Sequence, residues 1–492
     1  MKTYFLKFHV LIVFCLLLIP RLSRGEKIPP CGYAHFMMGV IYDRRGDLDN
    51  AFKEYAKALE YDFQNPNLHI KLALVYMKKN QLQEAVEELK KASQYAPDDV
   101  RIHFVLALIY SSMKKYDLAS QEYEKIVEVD PHDIMALASL ADIYVLQEKT
   151  KEAITAYEKL IKENVKLPLI YFNLAILYSK ENEIEKAIET MSKVIELDPR
   201  FVQAYISLGI FYEMEKNFQK AVDSFQKGLE VKPENVKLRK LLAEAYYKWG
   251  KVDKAEEVYR KLLEEFPDQK GLYLDLAYFY LRNKQIKKTL EVLSKAEKEG
   301  YNLSEVYFLL GYAHYKNKDN RQALKYFQKA KELKPDDSEV YFFLGALYED
   351  EEKWDLAEEN LKKAIQLNPD HADALNYLGY MYAVKGIKLG EAEKMIKKAL
   401  EVDPENGAYW DSLGWVHYKQ GLFIKALEEV KKALEYEKDD PVIKEHLGEI
   451  YYKLGNKSQA LKLWMNLLHE GFEGENKDLK QKIKKLKEEI GN

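Results

Sequence analysis

Thiols are almost absent from this sequence of 492 residues, which has two cysteines, Cys15 and Cys31. Cys15 lies in an apolar N-terminal stretch, so removal of that stretch leaves Cys31 alone and no intramolecular disulfide can form. Also missing are a Gly-rich phosphate loop, a His-Glu-x-x-His pair, a calcium-loop spacing of acids and a Gly-x-Ser-x-Gly elbow. Each is the smallest local arrangement its chemistry needs, so no enzyme activity, cofactor or metal is expected. No Ser-rich, Gly-rich or low-complexity tract follows residue 32, and no shift of composition marks a second domain. Charge of one sign is lacking as well: the net charge is −4. That modest acidity argues against a nucleic-acid binder.

The N-terminus reads as an export signal. Lys2 and Lys7 supply the positive start, Val10 to Ile19 an apolar run, and Ser23, Arg24 and Gly25 a small-residue cleavage site. Cleavage after Gly25 would leave 72 basic against 80 acidic side chains, a net charge of −8. The run is short for a membrane span, although an uncleaved anchor reaching back to Tyr4 is the alternative. A lipid on Cys31 is a further alternative, disfavoured by Pro29 and Pro30 before it and by Glu26 and Lys27, which break the apolar run. Membrane contact is expected only if one of these alternatives holds.

What the sequence does have is a repeat. In Glu339 to Asn368, Leu344, Gly345 and Tyr348 lie within one helical turn of each other, while Ala357, Leu361, Ala364 and Ile365 form a stripe at steps of three and four. A polar turn separates the two segments and Pro369 closes the unit, so a helical hairpin is predicted. Steps of 34 residues from Gly345 reach Gly311, Ala277, Ala243, Gly209, Ala175, Ala141, Ala107, Ala73 and Gly39 in one direction and Gly379 in the other. After a one-residue insertion between Gly386 and Gly390 the series continues at Gly414 and Gly448, making thirteen repeats. Three residues after each small residue stands a Tyr or, at His314 and His417, a His; twelve after it, or thirteen across the insertion, an Ala or, once, Thr289.

This pattern resembles the tetratricopeptide repeat family over about Gly32 to Asp478. The resemblance implies an all-α fold: a right-handed α-α superhelix, or solenoid, of about thirteen hairpins over residues 32–475, after a signal at 1–25 and before a capping helix at 476–490. The physical roles follow from packing. A Gly or Ala at the helix crossing permits an axial separation of about 8–10 Å, with the Ala of the second helix as its counterpart. The Tyr fills the space between one repeat and the next. In the tail, Leu479, Ile483, Leu486 and Ile490 would pack the cap on the last hairpin, with a basic docking helix as the alternative. The stretch from Asn376 through Trp464, with LGYMYAVKG, GAYWDSLGWVHYKQG and DPVIKEHLGEIYYKLG, is also similar to C-terminal repeats of envelope-associated repeat proteins of Gram-negative bacteria. The expected location is therefore the periplasm or cell envelope.

Two constellations were tested against the spacing. His35, His69 and His103 are 34 residues apart and so form a ladder at one repeat position, too widely spaced to share a metal near 2 Å. Since Tyr171, Tyr205, Tyr273, Tyr307, Tyr341 and Trp410 hold the same position further on, these His are expected to be packing side chains. A clamp for chaperone C-terminal carboxylates, as in related repeat domains, fails: with Lys237 in register, Phe172, Ile176, Ser207 and Leu241 occupy the other four positions.

The expected function is thus a non-enzymatic scaffold that holds a protein or peptide partner in the concave groove, with a carrier for polysaccharide or cell-wall glycan as the alternative. Family positions two, five, nine, twelve and thirteen line such grooves. From Gly271 onward they include Tyr278, Phe308, Tyr312, Tyr315, Phe342, Tyr380, Trp415, Tyr418 and Tyr452, the candidate partner-binding residues. Earlier repeats offer Leu74, Leu108, Ala138, Val145, Ile176 and Ile210 instead. The alternative for the tyrosines is simple packing against adjacent repeats. A dominant acidic or basic lining would favour a charged polymer as ligand.

Overall fold

Helix Ser338–Asp350 and helix Trp354–Leu367 are joined by a turn in which Glu352 has φ +59, in the left-handed region. The amide of the next residue, Lys353, donates to the Tyr348 carbonyl at 2.8 Å and closes the first helix. The same device recurs at the repeat period, from Asp47 N on Tyr42 O at 3.0 Å to Asn456 N on Tyr451 O at 2.8 Å. Gly46, Asn80, Lys114, Glu148, Asn182, Lys216, Gly250, Lys284, Lys318, Glu352, Gly386, Gly421 and Gly455 hold the left-handed position. Most are not glycine, so the hydrogen bond and the hairpin packing, more than residue type, enforce the turn.

The computed structural model describes residues 30–474 and 478–491, and among them has 27 α-helices and no strand. The expected export segment, 1–25, lies outside the described residues. First helices tend to begin at an Asp or Asn whose side chain accepts a backbone amide: Asn65, Asp99, Asp133, Asn235, Asp337, Asn406 and Asp440 do so. No helix among the described residues is long and apolar enough to cross a membrane.

At each helix crossing marked by glycine, a bulky side chain sixteen residues on, seventeen across the insertion, covers the small residue. A Cβ on Gly39, Gly209 or Gly311 would meet the rings of Tyr55, Phe225 and Phe327 at 2.6, 2.3 and 2.7 Å. On Gly379, Gly414 or Gly448 it would meet Ile396, Val430 and Trp464. The expected Ala counterpart takes part through its backbone, since the carbonyls of Ala357, Ala392 and Ala426 lie 3.2–3.3 Å from the built Cβ positions. The periodic Tyr does join repeats: Tyr144 and Tyr178 donate to Glu124 and Glu158 on the preceding second helix, both at 2.7 Å.

The chain divides into two compact units, one ending at Val258 and one beginning at Tyr259. The first contains the hairpins from Pro30–Arg44 with Leu48–Tyr61 to Val202–Met214 with Phe218–Val231, and helix Val236–Lys248. The second contains the hairpins from Gly271–Arg282 with Ile286–Lys298 to Pro441–Lys453 with Lys457–His469, followed by helix Leu479–Gly491. In this second unit, first helices pack directly on the next first helix, most closely at Ala372–Lys385, Gly407–Lys419 and Pro441–Lys453. Second helices do not do so to the same extent, which makes the first-helix face the inner side of the stack.

Helix Leu479–Gly491 buries Leu479, Ile483 and Leu486 against Ala460, Trp464 and Leu467. Lys482 pins it further back, with Nζ at 2.7 Å from Glu445 and 2.8 Å from Glu449. Ile490, the fourth member of the expected stripe, is 47% exposed because the hairpin beneath has no partner for it at that height.

Candidate functional site: the first-helix face of the C-terminal unit

The inner face of the second unit is built from helices Gly271–Arg282, Ser304–Lys316, Ser338–Asp350, Ala372–Lys385, Gly407–Lys419 and Pro441–Lys453. Of the nine expected site residues, Tyr278 is exposed, at 43%, and the other eight are half-buried. Packing accounts for much of that burial. Tyr312 and Tyr315 set their rings edge-on to Phe343, at 5.4 and 5.8 Å. Phe308 meets the same Phe343 at 5.7 Å, and Phe342 packs on Tyr377 and His371.

Trp415 is held on both sides. It stacks on Tyr418 at 4.6 Å and on His446 of the next first helix at 4.0 Å. His446 is buried, and its Nδ1 lies 2.8 Å from the buried Asp411 carboxylate. Tyr380 approaches the same imidazole at 6.4 Å. The indole thus presents an edge, and the fold has fixed its orientation before any ligand arrives.

Carboxylates are the other constituent, and an aromatic reading of the sequence passes over them. Glu305, Glu339 and Asp373 stand 34 residues apart at position two of successive repeats. Two receive a phenol from an adjacent repeat, Tyr278 Oη to Glu305 at 2.9 Å and Tyr409 Oη to Asp373 at 2.6 Å, while His371 Nε2 lies 3.3 Å from Glu339 without a hydrogen bond. Tyr377 donates to Glu349 at 3.1 Å and Tyr418 to Glu449 at 3.4 Å. Burial and then the Glu305 bond push the Tyr278 hydroxyl up to about 12. Burial likewise raises Tyr377, Tyr409 and Tyr418, each helped by its carboxylate partner. A neutral phenol that donates to a carboxylate orders it without cancelling its charge. Reading charge as well as aromaticity at position two would have found the series.

Between the last three first helices lies a cleft of about 210 Å³. Tyr377 and Tyr380 form one wall, Val442 and Ile443 another, and Asp411, Glu437 and Asp440 add carboxylates. Positions two, five, nine and twelve from Glu305 to Tyr452 hold seven acidic residues and no Lys or Arg, while position thirteen adds Asp350 and the lysines Lys316, Lys419 and Lys453, of which Lys316 and Lys419 lie over the Tyr312 and Trp415 rings. The surface therefore combines flat apolar rings with negative charge, which suits a partner carrying cationic and apolar groups.

In the histidine ladder, packing and hydrogen bonding coincide, with His35 stacked on Tyr61 and His69 on Tyr95. His69 and His103 are buried as packing side chains would be, but each bridges two acceptors. Nδ1 faces Glu88 and Glu122 at 2.7 and 2.6 Å, and Nε2 faces the carbonyls of Phe63 and Pro97 at 3.0 and 2.6 Å. His35 repeats the carboxylate bond, to Glu54 at 2.6 Å. Tyr205 and Trp410, at the same position, donate to the carbonyls of Pro199 and Pro404, again six residues back. Arg239, also at this position, donates to the Pro233 carbonyl, so several repeats satisfy the inter-repeat carbonyl from here, although Leu137 and Leu375 at the same position cannot. Among the described residues no group of His, Cys, Asp and Glu is arranged to hold a metal.

Comparison with known proteins agrees on the repeat. A tetratricopeptide repeat model matches residues 44–109, the tetratricopeptide repeat protein 21 C-terminal ARM domain matches 87–275, and the cilia and flagella-associated protein 70 C-terminal domain matches 212–440. These matches support a tetratricopeptide-repeat protein. No curated protein matches. Among solved structures, Naa15/Naa10 bound to HypK-THB is similar with a TM-score of 0.49 at 17% identity, over 89% of this chain and 68% of that one. The APC/C hetero-tetramer Cut9-Hcn1 gives 0.42 at 16% identity, over 91% and 94%. Yeast Tom70 gives 0.37 at 22% identity, over 89% and 91%.

Proposed function

We propose that this chain is a non-enzymatic scaffold that holds a protein or peptide partner on the first-helix face of its C-terminal unit. The observation that carries the reading is the row of rings and carboxylates from Tyr278 to Tyr452, which presents rigid amphipathic side chains whose ordering does not depend on a partner. The repeat-family matches support it, because such repeats form surfaces for other proteins. A protein is preferred to a glycan as ligand, since the position-two carboxylates would repel an anionic polysaccharide.

The test is site-specific photo-crosslinking in extract of the source cells. A photo-reactive residue at Tyr278, exposed on the first-helix face, is expected to capture a discrete protein that the same residue at Leu356, exposed on a second helix, does not. Equal capture from both positions, or none from Tyr278, removes the assignment of this face.

We further propose that the scaffold works in a bacterial cell envelope after export. What supports this is the composition of residues 1–25 and the likeness of the stretch from Asn376 through Trp464 to envelope repeats. N-terminal sequencing of the envelope fraction is expected to read Glu26 first. A chain that starts at Met1 points to an anchor, and a lipid on Cys31 to the other alternative.

A further inference from the structure

We infer that the cleft between the last three first helices is a site for a cationic side chain, arginine above all, of an extended basic segment in the partner. The inference rests on the reading that a protein lies on this face, and it adds the chemistry by which that protein is chosen.

The cleft has three properties that together select such a group. The first is negative charge with no lysine or arginine in the lining, carried by Glu437 and Asp440 because Asp411 is already paired with His446. Asp411, Glu437 and Asp440 line it, and neither Lys nor Arg does. Asp440 is fixed by the backbone amides of Val442 and Ile443 at 2.8 and 3.0 Å. These amides fix the orientation of the carboxylate and add no net positive charge. Asp411 is held by His446. Lys438, which follows Glu437 in the chain, is exposed and not part of the lining, and Lys444 turns to Asp439 at 3.4 Å.

The second property is an aromatic wall. Tyr377 and Tyr380 flank the carboxylates, and a cation beside a ring with its counter-charge nearby is favoured over one in water. The fold already uses this pairing next door, where Lys432 lies over the Trp410 ring at 3.7 Å.

The third is shape. The acidic groups are spread around a cleft of about 210 Å³, and among the described residues no three ligating side chains converge on one point. A metal ion needs convergence, whereas a planar guanidinium has five donors in a fork and can serve separated acceptors while its face lies on a ring. Asn376 on the wall has an Oδ1 without a hydrogen-bond partner, so turning its amide toward a donor breaks no bond of that oxygen.

The surroundings steer the same way. Along positions two, five, nine and twelve the acids run from Glu305 to Glu449, but Lys482 covers Glu445 and Glu449 at the end of the stack. The cleft carboxylates Glu437 and Asp440 lie before that capped end, and Lys419 nearby is turned to the Val384 carbonyl at 3.4 Å.

The experiment uses the full chain and a fluorescein-labelled peptide of alternating Arg and Gly, with Lys–Gly and Glu–Gly peptides as comparators, read by anisotropy. The expected result is saturable binding of the Arg peptide, weaker binding of the Lys peptide, none of the Glu peptide, and loss of affinity as salt rises. Glu437→Gln combined with Asp440→Asn is expected to weaken the Arg peptide by about tenfold. The Asn keeps the helix cap, so the fold is retained. Asp355→Asn combined with Glu359→Gln, which removes the same charge from the exposed side of a second helix, should leave binding unchanged. Equal weakening by both pairs means general acidity and overturns the site, as does a preference for Lys or the absence of saturable binding. If the Arg peptide fails while crosslinking from Tyr278 still captures a partner, the cation site falls and the docking face stands; if both fail, both fall.

Discussion

Leu361 occupies the space that a side chain at Gly345 would need: a Cβ built there lies 2.7 Å from Leu361 Cγ and 3.3 Å from the Ala357 carbonyl oxygen. Gly345→Leu is therefore expected to wedge the hairpin open, at a cost of about 1–3 kcal/mol. Gly345→Ala should cost less than about 1 kcal/mol, because Ala73 stands opposite Leu89 at the same step and both are fully buried. Hydrogen exchange on the Leu variant should show deprotection centred on residues 338–367, since a stack loses only the interfaces of the distorted unit. Uniform deprotection of the whole chain would contradict the local crossing.

Trp415 and Tyr278, both expected to contact a partner, should part company in stability. Trp415 is stacked between Tyr418 and His446, so Trp415→Ala is predicted to destabilise by about 2–3 kcal/mol, below the usual cost of a fully buried indole. Tyr278→Ala, on an exposed ring, should stay within about 0.5 kcal/mol. Denaturant unfolding of the two variants decides it. Equal destabilisation would make the face a core layer rather than a docking surface.

His103 and Glu122 should make stability depend on pH in a defined sense. The Glu122 bond raises the His103 pKa despite burial. Burial pushes Glu122 up, but the bonds from His103 and Lys125 outweigh it and leave that pKa lowered. A raised His pKa gives stability that is fully present below the unfolded value near 6.5 and is lost as pH rises through the folded value. A lowered Glu pKa gives stability present above about 4.3 and lost as pH falls through the folded value. The margin of the wild type over His103→Phe is thus expected to be largest between about pH 4.5 and 6.5 and to shrink on the alkaline side. Thermal melts across pH that show a margin growing with alkalinity would exclude the cationic pairing.

Lys482 joins the cap to the last first helix through Glu445 and Glu449, whose bonds hold its pKa above the ordinary value although burial pulls it down. Lys482→Ala removes the cation that two carboxylates share, and a cost of about 3 kcal/mol is expected. Exchange should rise first in residues 479–491 and in helix Lys457–His469, leaving the hairpins before it protected. A variant as protected as the wild type would show that the apolar contacts of Leu479, Ile483 and Leu486 suffice.

Gly455 isolates the backbone term of the turn. Its φ is +83 and nothing lies within 4 Å of a built Cβ, so Gly455→Ala is expected to cost about 1 kcal/mol through left-handed strain alone. Glu352→Gly, at the equivalent position, should be neutral or gain a few tenths of a kcal/mol, the relief of strain being offset by the larger unfolded-state entropy of glycine.

The sequence by itself determined the repeat length and the helical hairpin. Those features rest on interactions a few residues apart: the Gly345 and Ala357 spacing, the Tyr348 within a turn of Gly345, and the stop at Pro369. The family resemblance, through its groove positions, named Tyr278, Tyr312 and Trp415 as sharing a first-helix face. What only the tertiary structure decided is the partner of each of those side chains. The burial of Trp415 against His446, the carboxylate under Tyr409, the carbonyl that turns the His103 ring into a bridge and the exposure of Ile490 all depend on how one hairpin leans on the next. That lean follows from the volumes of interdigitating side chains across repeats, Phe343 and Phe327 among them, stacked at 5.5 Å. Spacing along the chain fixes which residues can face a neighbour, and packing between hairpins fixes which atom each one meets.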